Sequence, residues 1–264
     1  MTGVFEAYAA YYDLLYRDKD YPGESRYVQS LLKRHGLEAG ALLELGCGTG
    51  KHADQLARLG YRVHGVDSSA AMVERARESV PADLRARLRF ETGDARSARL
   101  AEAFDAVISL FHVASYQSSN EDLAAMFATA GAHLKSGGLF VFDFWYGPGV
   151  LTVPPSTRVK RLEDEDLVVT RIAEPTLQPN RNIVDVRYTV LVKRRSTGET
   201  FEFEETHRMR YLFLPELELM LQASGLQVLH AERWMSGELD LTSWLGVIVA
   251  RRGAPADHRR EDAA

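Results

Sequence analysis

Cysteine is almost absent: Cys47 is the single one in 264 residues. A lone thiol forms no internal disulfide and no multi-cysteine metal site. A disulfide scaffold is excluded, no metal is expected, and a reducing cytoplasm is the default location. Long apolar runs are missing as well. Nothing approaches the ~18 consecutive apolar residues of a transmembrane helix, so no membrane partner is expected. The opening segment, MTGVFEAYAAYYDLL, has no basic flank and no clean apolar stretch, and does not read as a signal peptide. There is no surplus of positive charge either. The 32 Lys and Arg are outnumbered by 37 Asp and Glu, a net charge of −5, which weighs against a nucleic-acid partner. What remains is an ordinary globular composition, 45% hydrophobic and 26% charged, in a chain long enough for one or two domains.

The pattern along the chain resolves that choice. Residues 4–38 read as helical, with Tyr8, Tyr11, Tyr12, Leu15 and Tyr16 at helical spacing and Pro22 opening a second helix. Strands and helices then alternate. Strands are predicted at 41–45, 61–66, 88–92, 104–111 and 139–145. A helix is predicted at 51–59, a second runs to about Ser79 with Ser68 as its N-cap, and a third runs to Leu134 with Asn120 as its cap. Such alternation implies βαβ units and a mostly parallel sheet. The rhythm changes over 151–210. There the segments 167–172, 184–193 and 200–209 alternate or are β-branched, with turns at Gln178-Pro179-Asn180 and Thr197-Gly198. They read as inserted antiparallel strands. A helix at 215–224 and strands at 226–234 and 245–251 close the core. The expected architecture is a Rossmann-like α/β core over 40–150 and 211–252, with an N-terminal helical segment at 1–39, an inserted β-subdomain at 151–210 and a frayed tail at 253–264.

Chemistry concentrates at the ends of the predicted strands. The first runs into Glu44-Leu45-Gly46-Cys47-Gly48-Thr49-Gly50 and then a helix. Glycines there permit a tight turn and close approach of a ligand to the backbone. The helix beyond offers free N–H groups and a positive dipole end. Asp67 ends the second strand, where an acid takes the hydroxyls of a ribose. Gly93-Asp94 follow the third strand and Leu110-Phe111 close the fourth. All these ends share the carboxyl edge, where open α/β sheets bind ligands. One nucleoside fits along it, with an amino-acid end at the glycines, the ribose at Asp67 and the base near Asp94. Cys47 reads as a packing residue within that loop.

With these motifs the chain resembles the class I S-adenosylmethionine-dependent methyltransferases, whose sheet has seven strands with an antiparallel last one. A narrower resemblance rests on Ala10-Tyr11-Tyr12-Asp13-Leu14-Leu15-Tyr16, Lys19-Asp20-Tyr21, Phe144-Trp145-Tyr146-Gly147-Pro148 and Thr206-His207-Arg208. These look like segments of the dTDP-aminosugar N,N-dimethyltransferases. The resemblance implies S-adenosyl-L-methionine as cofactor, methylation of an N or O atom of a small-molecule acceptor, and a homodimer through the inserted strands. It implies cofactor contacts from Tyr12, Tyr21, Glu44, Gly46, Gly48, Gly50, Asp67, Ser68, Gly93, Asp94, Ala95 and Leu110, with Tyr12 and Tyr21 in a helical lid. Acceptor contacts are expected from Tyr16, Trp145, Tyr146 and His207. His112 and Tyr116, just after the fourth strand, are the candidate catalytic pair. Where that family carries an arginine near the C-terminus, this chain has Glu238 after Ser236-Gly237, which would repel a diphosphate.

Three rival functions can be weighed on residues. A nicotinamide-dependent oxidoreductase shares the glycine turn and ribose acid, but G-C-G-T-G departs from the G-x-G-x-x-G spacing. A non-catalytic cofactor-binding subunit is disfavoured by the aromatic residues at the pocket mouth. A methyltransferase of RNA or protein is disfavoured by acidity and by Leu110-Phe111-His112-Val113 in place of an Asn/Asp-Pro-Pro-Tyr motif.

Overall fold

A computed structural model describes residues 14–253. Tyr8, Tyr11, Tyr12 and the tail from residue 254 lie outside the described residues. In chain order the elements are α1 (Tyr21–Arg34), β1 (Ala41–Leu45), α2 (Lys51–Arg58), β2 (Arg62–Asp67), α3 (Ala70–Glu78), β3 (Leu88–Thr92) and β4 (Phe104–Ser109). Then come α4 (Val113–Tyr116), α5 (Asn120–His133), β5 (Leu134–Tyr146) and α6 (Gly147–Thr152). Four long strands follow, β6 (Arg158–Glu163), β7 (Leu167–Gln178), β8 (Ile183–Arg194) and β9 (Thr200–Leu212). The chain closes with α7 (Leu214–Ala223), β10 (Leu226–Arg233) and β11 (Leu245–Arg252).

The strands make one mixed, eleven-stranded sheet. Its parallel part runs β3-β2-β1-β4-β5. All five residues of β1 are buried, as in a sheet covered on both faces. Leu42 joins the cluster under α1 and α2, with Val28, Leu31, Leu32 and Leu56. Leu43 and Leu45 join the opposite cluster with Phe127 of α5 and Leu217 of α7. β11 lies antiparallel between β5 and β10. Strands β6 to β9 form an antiparallel meander. Its last strand rejoins the sheet: Trp145 pairs with Leu245 of β11 and also with Tyr211 of β9. β4 has ended by then, so β9 takes over its edge of β5. That junction hangs the meander over the carboxyl ends of β4 and β5.

Local chemistry explains several element ends. α1 starts at Asp20, whose carboxylate accepts the Gly23 N–H at 2.9 Å, and Lys33 and Arg34 sit at its negative end. The caps of α3 and α5 differ from the sequence expectation by one residue each. Ser69, not Ser68, accepts the Met72 N–H, because Asp67 draws the Ser69 N–H into a turn. Ser119, not Asn120, accepts the Asp122 N–H; the Asn120 amide oxygen accepts instead from Arg210. β4 stops at Ser109 rather than residue 111, since Phe111 and His112 are left-handed at φ 65° and 69°. The basic residues Arg158, Lys160 and Arg161 lie on edge strand β6, where charge is a common guard against further pairing.

Candidate active site

β1 delivers Glu44 and then the glycine loop to the carboxyl edge. Gly46 has φ +78°, and a Cβ there would sit 2.4 Å from Val113 Cγ2. Gly48 has φ +53°, and the space where its Cβ would lie is open. The loop is tied to β2: the Gly46 and Cys47 N–H groups donate to the Val66 carbonyl at 2.7 and 3.1 Å. Asp67 accepts the Gly48 N–H on one carboxylate oxygen (2.8 Å) and the Ser69 N–H on the other (2.9 Å). Burial raises the Asp67 pKa against the pull of those two bonds. α2 begins at left-handed Gly50 with no side-chain cap hydrogen bond among the described residues, and its first N–H groups point at the loop. Cys47 is buried, and burial pushes its thiol up. It packs in the core beneath the loop.

Glu44 is 1% exposed, and its Oε2 has no hydrogen-bond partner among the described residues. Burial, with the Asp67 charge beside it, pushes its pKa up to about 8. An orphaned acidic oxygen beside an open glycine cradle and an uncapped helix start fits an amino acid: the acid takes the ammonium, the helix start the carboxylate. Tyr21, at the start of α1, sets its ring edge-on to His52 of α2 at 4.9 Å.

The third strand end is more self-contained. The Gly93 N–H donates to the Asp67 carbonyl at 2.9 Å. Asp94 ion-pairs with Arg96, which also reaches Asp122; the Arg96 bond holds the Asp94 carboxyl low. Ala95 packs on the cluster under α5 and α7.

The fourth and fifth strand ends carry the most pointed geometry. Leu110 is buried, and the chain then turns through Phe111 and His112. Two adjacent non-glycine residues in the left-handed region are a local strain, of a kind found at functional sites. Asp143, on β5 and 1% exposed, holds the turn: its carboxylate accepts the His112 N–H at 3.0 Å and lies 2.6 Å from His112 Nδ1. Trp145 lies across from His112, ring centroids 6.3 Å apart, and against Trp244 at 5.4 Å. Tyr146, one residue on, takes the other face of β5 and packs with Phe144 on the core. It does not meet His112.

Tyr116 reaches the meander. Its hydroxyl is 2.7 Å from His207 Nδ1, and His207 Nε2 is 3.2 Å from Glu205. His207 is 3% exposed with the edge of Tyr188 against its ring. Burial pushes the Tyr116 phenol well above its usual range. Tyr16 stacks edge-on to Phe111 at 4.9 Å and accepts a hydrogen bond from Arg171 at 3.2 Å. Tyr16, Tyr116 and His207 are therefore brought together, with Arg171, Tyr188 and Glu205 added from β7, β8 and β9. Those three were not singled out in the sequence because alternating polar residues on a strand look like a solvated face. Asp143 carries no motif of its own and lies among apolar residues at the end of β5, so only its contact with His112 marks it. Glu238 is exposed in the β10–β11 connection.

Comparison with known proteins gives the family. Residues 42–138 match the family model of a methyltransferase domain. The chain is 30% identical to the dTDP-3-amino-3,6-dideoxy-alpha-D-glucopyranose N,N-dimethyltransferase of Streptomyces fradiae, covering 83% of this chain and 84% of that protein. It is 29% identical to the dTDP-3-amino-3,4,6-trideoxy-alpha-D-glucopyranose N,N-dimethyltransferase of Streptomyces venezuelae, over 87% and 94% of the two chains. Among solved structures, a SAM-bound amino pentose methyltransferase of Micromonospora echinaspora, involved in calicheamicin biosynthesis, superposes with a TM-score of 0.72 at 26% identity, covering 94% and 97%. The cofactor of this chain is S-adenosyl-L-methionine, and the chain belongs to the S-adenosylmethionine-dependent methyltransferases.

Proposed function

We propose that the acceptor is the amine of a small amino sugar and that His112 is the group that receives its proton. The observation that carries this reading is the His112–Asp143 pair, joined from two strand ends next to Val113, which packs on Gly46 of the glycine loop. The names of the relatives, which are N,N-dimethyltransferases, favour nitrogen over oxygen. The bound cofactor supplies an electrophilic methyl group on a positively charged sulfur. The protein's share is chiefly alignment, which is worth roughly 7–11 kcal/mol of barrier in well-oriented systems. In this reading Asp143 holds Nδ1, leaving Nε2 to face the acceptor. A protonated amine has no lone pair to attack with, so Nε2 takes its proton first. Tyr16, Trp145, Tyr116 and His207 form the acceptor wall, with Tyr146 as a supporting residue behind it. Tyr12, Tyr21, Glu44, Gly46, Gly48, Gly50, Asp67, Ser68, Gly93, Asp94, Ala95 and Leu110 serve the cofactor.

The finer architecture is part of the same proposal. Seven strands, β1 to β5 with β10 and β11, act as the catalytic core. The N-terminal segment closes on the cofactor, and β6 to β9 form an inserted subdomain through which two copies pair. The Tyr21–His52 contact supports the lid, and an exposed Val159 on edge strand β6 supports the pairing. No helix among the described residues is long and apolar enough to cross a membrane. The experiment is incubation of the protein with S-adenosylmethionine and either a dTDP-linked amino sugar or the corresponding methyl glycoside, read by mass spectrometry. Gain of one or two methyl groups on nitrogen is expected, with the diphosphate-free acceptor preferred because of Glu238. Methylation of hydroxyl-only sugars but never of amines would overturn the nitrogen reading.

A further inference from the structure

Beneath the glycine loop, Lys19, Glu24, His52 and Glu44 run in a line from the start of α1 to the end of β1. Lys19 is ion-paired with Glu24. Glu24 Oε2 lies 2.7 Å from His52 Nε2, and His52 Nδ1 lies 3.9 Å from Glu44 Oε1. His52 is 6% exposed and Glu44 1%. The protonation states follow from the surroundings. Burial raises the Glu24 pKa, but the His52 hydrogen bond and the Lys19 charge outweigh it, so Glu24 is an anion. Burial lowers the His52 pKa despite Glu24, so the imidazole is neutral at physiological pH. Next to an anion, a neutral imidazole donates its Nε2–H, which leaves the Nδ1 lone pair facing Glu44. Glu44, pushed up to about 8 by burial and by Asp67, still carries its proton.

We propose that cofactor binding moves the Glu44 proton onto His52 Nδ1, so that Glu44 meets the cofactor ammonium as a carboxylate and His52 becomes an imidazolium between two carboxylates. One O–H bond breaks on Glu44, one N–H bond forms on His52, and no proton leaves the protein. The terminal carboxyl torsion of Glu is soft, which lets Glu44 turn an oxygen toward His52 Nδ1 across the 3.9 Å between them. The other charged groups in reach divide clearly. Asp143 on β5 and Glu24 on α1 favour the imidazolium, while Lys19 opposes it. Asp67 on β2 opposes ionisation of Glu44 until a cation arrives, and the Cys47 thiol, raised in its turn by Glu44 and Asp67, stays neutral. His52 is thus a positioning residue: it touches no reacting atom but stores the proton that would otherwise be given up to solvent.

S-adenosylhomocysteine, which carries the ammonium and is not consumed, is the probe. In ¹⁵N-histidine NMR of the intact protein near neutral pH, His52 is expected as the Nε2–H tautomer when free and as a doubly protonated imidazolium when bound. Affinity in the wild type should be flat between about pH 6 and 7.5, because no net proton is exchanged. In His52→Gln, Glu44 must release its proton to solvent, and affinity should fall about tenfold for each pH unit below 7.5. A neutral His52 in the complex, or a wild-type slope equal to that of His52→Gln, overturns the proposal. If the variant fails to fold, the NMR arm on the unaltered protein decides alone. Both readouts concern cofactor binding only, so they stand apart from the identity of the acceptor.

Discussion

At the residue scale, His112 combines an unfavourable backbone with a favourable partner. Its left-handed φ of 69° is tolerated because Asp143 accepts the backbone N–H and approaches Nδ1 at the same time. One carboxylate therefore holds the turn and lies beside the ring. Asparagine adopts the left-handed region more readily than other non-glycine residues, so His112→Asn keeps the turn while removing the proton acceptor. Its kcat is expected to fall about 10²-fold or more, with S-adenosylhomocysteine affinity within a few-fold of wild type. Steady-state kinetics beside calorimetric binding checks this; unchanged kcat removes His112 from the chemistry. That Glu44, the glycine loop and Asp67 lie together was legible in the sequence, because glycines and a strand-terminal acid have a narrow range of uses. The acceptor end was less so. Tyr116 and His207 lie 91 positions apart yet share a 2.7 Å hydrogen bond, and no spacing rule reports that.

At the element scale, α1 is held by more than its apolar face. Val28, Leu31 and Leu32 pack into the core, and Glu232 of β10 clasps the other side. Its carboxylate accepts from Tyr27 at 2.5 Å and Arg34 at 2.8 Å, and lies 2.7 Å from His230 Nε2. Burial alone would raise its pKa, but Arg34, Tyr27 and His230 hold it down to about 2. A depressed carboxyl pKa contributes stability that is present above the unfolded-state value near 4.3 and lost as pH falls toward the folded value. Glu232→Gln is expected to cost about 2 kcal/mol at neutral pH and to lower Tm by roughly 5 °C for a chain of this size. The difference from wild type should shrink between about pH 4.3 and 2. Thermal denaturation across that range tests it. Elements closed by a glycine signal, such as β1 before Gly46, β3 before Gly93 and α7 before Gly225, fell within a residue or two of expectation. The short helices α4 and α6 and the edge strand β6 were not foreseen, because tertiary contacts make them.

At the scale of the whole molecule, the meander and the core meet at β5. Trp145 pairs with β9 on the edge that β4 vacates, so the strands that bring His207 and Glu205 are hydrogen-bonded to the strand that brings Asp143. The two ends of the site are thereby built on one sheet rather than on separate loops. Ligand binding to the folded state alone stabilises it by about 2.7 kcal/mol at a hundredfold excess over Kd. S-adenosylhomocysteine at that level should raise Tm by roughly 5–10 °C, and NAD should leave it unchanged. A larger shift with NAD would reverse the assignment of the glycine loop.

The sequence by itself determined the class of sheet and set glycines and acids at the ends of its strands, because alternation of strand and helix and the position of glycines are local properties. The tertiary structure alone decided which side chains face one another across that edge. Asp143 beside His112, Tyr116 against His207, and His52 between Glu24 and Glu44 each join residues from different elements. Their protonation depends on how completely water is removed around them, and burial is a property of the packed chain rather than of any segment of it.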